Sequence, residues 1–276
     1  MHQMSMSTDA AERGPAPQAA TARPVAALTV LAGTCKDGKP ERVAELTIRA
    51  GECLAVVGPT GSGKSELLAD IEQLARGDTI SGRRILINRA APGDTLNGGG
   101  LVARLSQRTG FIMDGTVATF LRRHAESKQR ATDGLVEAVL AVANTLCGEP
   151  IRPEADLPTL SGGQSRALMI ADIAAISDAP IVLIDEIENA GIHKFEALNV
   201  LSASNKPILI ATHDPVLTLM TQQRVVMQNG AMTQLHVTSA DEIRCLAGLR
   251  RIDATLAACR ETLRGGRTLT NGDWIP

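Results

Sequence analysis

The stretch Gly58-Pro59-Thr60-Gly61-Ser62-Gly63-Lys64-Ser65 constrains this chain more than any other. It fits G-x-x-x-x-G-K-[ST] at every position. It directly follows the apolar run Cys53-Leu54-Ala55-Val56-Val57 and opens a helical pattern running from Lys64 to about Ala75, with Gly77 as the stop. A buried strand that feeds a glycine-rich turn into a helix is a building unit of a parallel sheet covered on both faces, so the pattern predicts an α/β fold. The chemistry of the turn is equally specific. Glycines let successive backbone amides face inward around phosphate oxygens, and the helix N-terminus adds positive potential. Lys64 brings a point charge for β- and γ-phosphates, and the Ser65 hydroxyl is placed to ligate Mg2+.

The rest of the chain supplies partners for that unit. Strand-like runs occur at Ala27–Leu31, Val43–Ile48, Arg84–Asn88, Leu101–Leu105, Ile181–Ile184 and Pro207–Ile210. Between Val117 and about Leu146 apolar residues recur at helical spacing, and a further helix fits between the last two strands. Asn229-Gly230 between Val225–Met227 and Met232–Leu235 predicts a hairpin. In the tail, Ser239 and Glu242 form a capping box. Ile243, Leu246, Leu249, Ile252, Leu256, Cys259 and Leu263 then suggest one apolar face that packs on the main domain, and Gly265 ends the helix.

Composition narrows the function classes. Lys and Arg total 28 against 30 Asp and Glu, a net charge of −2, which gives no chain-wide basic coat for nucleic acid or anionic lipid. With three Phe, one Trp and no Tyr, a base-stacking platform for single strands is disfavoured. The cysteines Cys35, Cys53, Cys147, Cys245 and Cys259 are odd in number and form no CxxC pair, as expected of reduced thiols in a cytosolic protein without a zinc or iron–sulfur cage. No stretch has the roughly 18 consecutive apolar residues of a membrane-spanning helix. Residues 1–24 lack the apolar core of a secretory signal and read as a disordered leader.

A second acidic site follows from Ile181-Val182-Leu183-Ile184, an apolar strand ending in Asp185-Glu186. A buried strand would carry Asp185 beside the phosphate loop to hold Mg2+, as in a Walker B motif. Glu186 would then face the γ-phosphate and accept a proton from the attacking water.

Leu160-Ser161-Gly162-Gly163-Gln164 begins another helical stretch, and here the chain resembles the ATP-binding cassette (ABC) ATPase family, whose signature is LSGGQ. The resemblance covers roughly Ala27 to Leu235 and rests on several motifs in the family's order: the phosphate loop, Gln107, LSGGQ, Asp185-Glu186, and His213 in Ala211-Thr212-His213-Asp214. It implies a P-loop NTPase core with a mostly parallel sheet, an antiparallel β subdomain and an inserted helical subdomain at about residues 108–170. The ATPase domain would then span residues 25–238 and the C-terminal helix and tail residues 239–276. It also implies roles. Gln107 reaches Mg2+ and the attacking water, and the segment Phe111–Val117 after it meets the partner that moves. His213 contacts the γ-phosphate. Ser161, Gly162, Gly163 and Gln164 face the ATP of an opposite cassette, so that two chains clamp two MgATP in a head-to-tail homodimer.

On this resemblance the chain is expected to be the cytoplasmic nucleotide-binding subunit of a membrane transporter, peripheral on the inner face, with a separate chain spanning the bilayer. The alternative is a soluble ABC ATPase that remodels or reactivates a protein or acts on nucleic acid, the latter disfavoured by the charge. Three departures stand out. No Phe, Tyr or Trp precedes Phe111 to stack on adenine, which leaves Arg42 or an aliphatic side chain as support. Glu66 follows Lys64-Ser65 where Thr is common. After Glu186 the family's Pro-Thr-Ser-Ala-Leu-Asp is replaced by Ile187-Glu188-Asn189-Ala190-Gly191-Ile192, so the coupling aspartate is missing. His193 is either its substitute or a solvated loop residue.

Overall fold

The computed structural model describes residues 25–92, 100–106, 110–111, 113–189 and 191–270. The leader, Gln107 and Trp274 lie outside the described residues. The element order is β1 (Ala27–Leu31), β2 (Glu45–Arg49), β3 (Cys53–Val57), α1 (Lys64–Glu72), β4 (Arg84–Ile87), β5 (Val102–Leu105), α2 (Val117–Ser127), α3 (Leu135–Leu146), α4 (Gly162–Ala175), β6 (Ile181–Asp185), α5 (Lys194–Ser202), β7 (Ile208–Ala211), α6 (Pro215–Met220), β8 (Gln223–Gln228), β9 (Ala231–Val237) and α7 (Ala240–Arg264).

The strands form two sheets. The larger has the order β5-β6-β7-β3-β8-β9, parallel except for β9, which returns antiparallel through the Asn229-Gly230 turn. Both turn residues have positive φ, 50° and 82°, as a two-residue hairpin of right-handed twist requires. The smaller sheet, β2-β1-β4, is antiparallel throughout. The fold is therefore α/β, with a parallel core, an antiparallel sheet and helices.

Strand alternation explains how the central strands can be apolar at every position. On one face Leu54, Val56, Leu183, Leu209 and Ala211 pack with α1 and with Leu28, Val30, Leu46 and Ile48 of the antiparallel sheet. On the other, Ala55, Val182, Ile184, Ile208 and Ile210 pack with apolar residues of α2, α3, α4 and α5.

Two elements differ from the sequence expectation. The first is α1, which stops at Glu72, because Leu74 turns left-handed (φ 54°) and the Ala75 amide bonds back to Asp70 O. The second is α7. Its capping box forms as expected, yet no residue of the helix is buried and Ile243, Ile252, Leu256 and Leu263 are exposed. The cause is geometric: nine residues make two and a half turns, so steps of three from Ile243 wind the stripe to the opposite side by Ile252. The apolar residues do not share one face: α7 lies against α6 with Leu246 and Leu249 half-buried, while Ile243, Ile252, Leu256 and Leu263 turn to solvent, so the expected packing holds for only part of the stripe.

Candidate functional site

Register brings the chemistry to one edge of the large sheet. Asp185 at the end of β6 pairs with Ala211 at the end of β7, and Ala211 pairs with Val56 of β3. The loops that leave β3, β6 and β7 therefore emerge side by side at the carboxyl edge, where open α/β sheets bind ligands.

The phosphate loop is shaped by close backbone approach. A Cβ on Gly58 would sit 2.4 Å from Met227 O, and one on Gly63 would sit 2.8 Å from Gly230 Cα. The β8–β9 turn supports the loop from outside: the Gly230 amide donates to Ser62 O (2.9 Å), and Lys36 Nζ donates to Gly61 O (3.0 Å). In α1 the first intrahelical bond runs from the Leu67 amide to Gly63 O, and Gly63 provides no side-chain cap. The amides ahead of Leu67 thus have no intrahelical acceptor, the condition under which a helix start receives an anion.

Lys64 is buried and curls over this turn. Its Nζ donates to Gly58 O (2.8 Å) and Pro59 O (3.2 Å) and lies 3.1 Å from His213 Nε2. His213 Nε2 is in turn 3.6 Å from Glu186 Oε1. Ser65 Oγ faces Asp185 Oδ2 at 3.5 Å. A hydroxyl and a carboxylate are hard oxygen donors of the kind Mg2+ takes, one or two at a time, alongside phosphate oxygens and water. Among the described residues no group of three or more His, Cys, Asp or Glu could hold a metal by itself, so this pair fits an ion that arrives with a phosphate.

The structure thus unites Lys64, Ser65, Asp185, Glu186 and His213. Glu186 holds φ 53°, a left-handed conformation rare outside glycine and costing about 1–3 kcal/mol, and its amide donates to Ala211 O (2.9 Å). Gln107 lies outside the described residues.

The signature is elsewhere, at the start of α4. Ser161 Oγ accepts the Gln164 amide (3.2 Å), and Gln164 Oε1 accepts the Ser161 amide (3.0 Å). The first intrahelical bond of α4 is Ser165 N to Ser161 O, so Gly162 and Gly163 present amides without intrahelical acceptors. None of the hydrogen bonds of Ser161 or Gln164 among the described residues reaches the phosphate loop of the same chain.

Several residues escaped the sequence reading. Arg104 reaches from β5 to both Glu72 (2.6 Å) and Asp185 (3.3 Å). Burial would lower its pKa, but these two carboxylates outweigh that and hold it above the usual arginine value. A charge inside the apolar run Leu101–Leu105 was the available signal. Glu188, in the atypical segment after Glu186, and Lys194, at the start of α5, contact the His213 loop. Arg42 is exposed, and so is His193, whose amide donates to Leu146 O (2.8 Å).

The family model described as "ABC transporter" matches residues 42–189. An uncharacterized ABC transporter ATP-binding protein of Methanocaldococcus jannaschii is 49% identical over 249 residues, covering 89% of this chain and 95% of that protein. The zinc import ATP-binding protein of Paracoccus denitrificans is 27% identical over 220 residues, covering 74% and 77%. Among solved structures, cbiO1 from Clostridium perfringens, described as part of the ABC transporter complex cbiONQ, has a TM-score of 0.60 at 18% identity, covering 88% of this chain and all of that one. Among the described residues no helix is long and apolar enough to cross a membrane.

Proposed function

Because the chain belongs to the ABC transporter family, as its ATP-binding protein type, we propose that it hydrolyses ATP as the nucleotide-binding subunit of a membrane transporter. The observation that carries the hydrolysis reading is the row Lys64, His213 and Glu186, with Nζ to Nε2 at 3.1 Å and Nε2 to Oε1 at 3.6 Å, beside the open N-terminus of α1.

In this reading the loop amides and Lys64 bind the β- and γ-phosphates, and Ser65 and Asp185 hold Mg2+, with Gln107 as a further ligand. The ion supplies charge neutralisation on the phosphates. Glu186 accepts the proton of the attacking water, and His213 contacts the γ-phosphate from the β7 edge. The uncapped Gly162 and Gly163 amides, with Ser161 and Gln164, receive the γ-phosphate bound to a second copy, so two chains close head to tail around two MgATP. Closure and reopening then move a membrane-spanning partner from the inner face of the membrane. The names of the relatives, ATP-binding proteins of ABC transporters, support the transporter part. A soluble client protein is the rival partner.

The test is phosphate release by the purified chain. Wild type should hydrolyse MgATP and Lys64→Ala should not; equal rates would overturn the assignment of the loop. Glu186→Gln should double in mass by light scattering at saturating MgATP, and a persistent monomer would overturn the clamp. Affinity purification from detergent-solubilised membranes should recover a multi-spanning protein. Recovery of only a soluble enzyme would overturn the transporter part.

A further inference from the structure

The segment after Glu186 lacks the family's usual residues, and its own residues hold the loop that carries His213. After β6, residues Ile187–Asn189 form one short 3-10 turn that sends Glu188 across to the loop following β7. Glu188 Oε1 accepts the His213 amide at 2.7 Å, while Glu188 Oε2 is buried with no partner among the described residues. Six residues on, Lys194 Nζ lies 2.5 Å from Asp214 Oδ2 and 2.7 Å from Asp253 Oδ1 of α7. Burial would lower the Lys194 pKa, but the hydrogen bonds and charges of the two aspartates outweigh it and hold the ammonium above the usual lysine value. The other oxygen of Asp214 accepts the Val216 and Leu217 amides and so fixes the start of α6.

Consecutive residues, His213 and Asp214, are therefore gripped by one segment, the first through its backbone and the second through its side chain. We propose that Glu188 and Lys194 are positioning residues that hold the His213 imidazole between Lys64 and Glu186, and that Asp253 makes α7 part of this clamp.

The physics favours a role in placement over one in bulk stability. A carboxylate that uses one oxygen for one amide and keeps the other dry is costly to maintain, and such groups in native structures call for an explanation. The restraint falls on the backbone of His213, where rotating one peptide swings the ring away from both neighbours. No residue of α7 is buried, and the ion pairs Lys194–Asp253 and Arg224–Glu242 (2.8 Å) join its contact with α6 and the Arg250–Phe195 cation–π pair in holding the helix. A load on α7 would reach the histidine through Lys194.

The inference rests on the ATPase reading, and steady-state kinetics separate the two. With wild type and Lys64→Ala as references, Glu188→Ala should lower kcat about tenfold or more, with KM and binding of a fluorescent ATP analogue changed less than about twofold. Glu188→Gln, which keeps a carbonyl acceptor, should recover most of that loss. Lys194→Met and Asp253→Asn should lower kcat in the same direction, the latter less. In a His213→Ala background Glu188→Ala should have no further effect, because both changes remove one function. Wild-type kcat in Glu188→Ala and Lys194→Met, or a full additional loss on top of His213→Ala, would overturn the clamp while leaving the ATPase reading intact. A wild-type chain no faster than Lys64→Ala would remove the ATPase reading itself, and the clamp with it.

Discussion

Replacing Arg83 with methionine should destabilise the protein and loosen its phosphate loop from behind. Arg83 is fully buried, as are the side chain of Glu41 and nearly all of that of Asp70. Its guanidinium donates to Glu41 (2.8 and 3.2 Å), to Asp70 (2.8 Å) and to Gly230 O (2.6 Å). Burial would lower its pKa, but the two acids more than offset that and raise it. Methionine keeps most of the volume and removes the cation, leaving two buried carboxylates. Glu41 would retain the Gly33 and Met232 amides (2.9 and 2.6 Å), and Asp70 would retain the Ser81 hydroxyl (2.8 Å). Breaking such a pair from one side costs about 3–5 kcal/mol. Urea unfolding measures this loss, and fluorescent-nucleotide titration should show weaker binding, because Gly230 lies against Gly63. A change within about 1 kcal/mol would refute the reasoning. Neutralising all three positions (Glu41→Gln, Asp70→Asn, Arg83→Met) should restore most of the stability, since what costs is the unpaired charge.

Three more outcomes follow from single contacts. Gly162→Ala should not lower thermal stability, since nothing lies within 4 Å of its added Cβ in one chain, yet it should weaken MgATP-dependent dimerisation; full dimerisation by light scattering would argue against a γ-phosphate seated there. Cys53 is buried and its thiol is pushed up to about 12 by burial, so at pH 8 iodoacetamide should label exposed Cys245 and spare Cys53 until the chain is unfolded, as peptide mass spectrometry would show. The Glu242 carboxyl is lowered to about 2 by the Ser239 amide and Arg224, so its hold on the start of α7 is present above the ordinary glutamate value and is lost as pH falls towards about 2. Protection of the first-turn amides of α7 against hydrogen exchange, taken relative to the intrinsic rate at each pH, should fall through that window, and a flat protection profile would count against the cap.

What could be read from the sequence was local. The strand, turn and helix around Lys64 follow from neighbours within a few residues. The Asn229-Gly230 hairpin and the Ser239–Glu242 capping box are likewise set by dihedral preference and short hydrogen bonds. Asp185 and Glu186 were legible because four apolar residues of β6 precede them. The Arg83 triad was not, since Glu41 and Asp70 stand 42 and 13 residues from it and only packing of the antiparallel sheet on α1 brings them together. The α7 stripe misled because steps of three look periodic along a sequence while turning steadily around a helix.

The same division separates the two halves of the candidate site. Gly63 and Ser161 each begin a helix whose leading amides lack intrahelical acceptors, but they meet different needs within one chain. Around Gly63 the supporting groups converge: Lys64, Ser65, Asp185 and His213 all reach the loop. Around Ser161 they do not. The hydroxyl and Gln164 satisfy each other, and exposed Gly162 and half-buried Gly163 have no side chain to shield their amides. Alanine at those two positions would favour the helix, so glycine there is a cost that one chain alone does not offset. A γ-phosphate delivered by a second copy would make use of both the bare amides and the missing Cβ atoms, which is why Gly162→Ala separates stability from assembly.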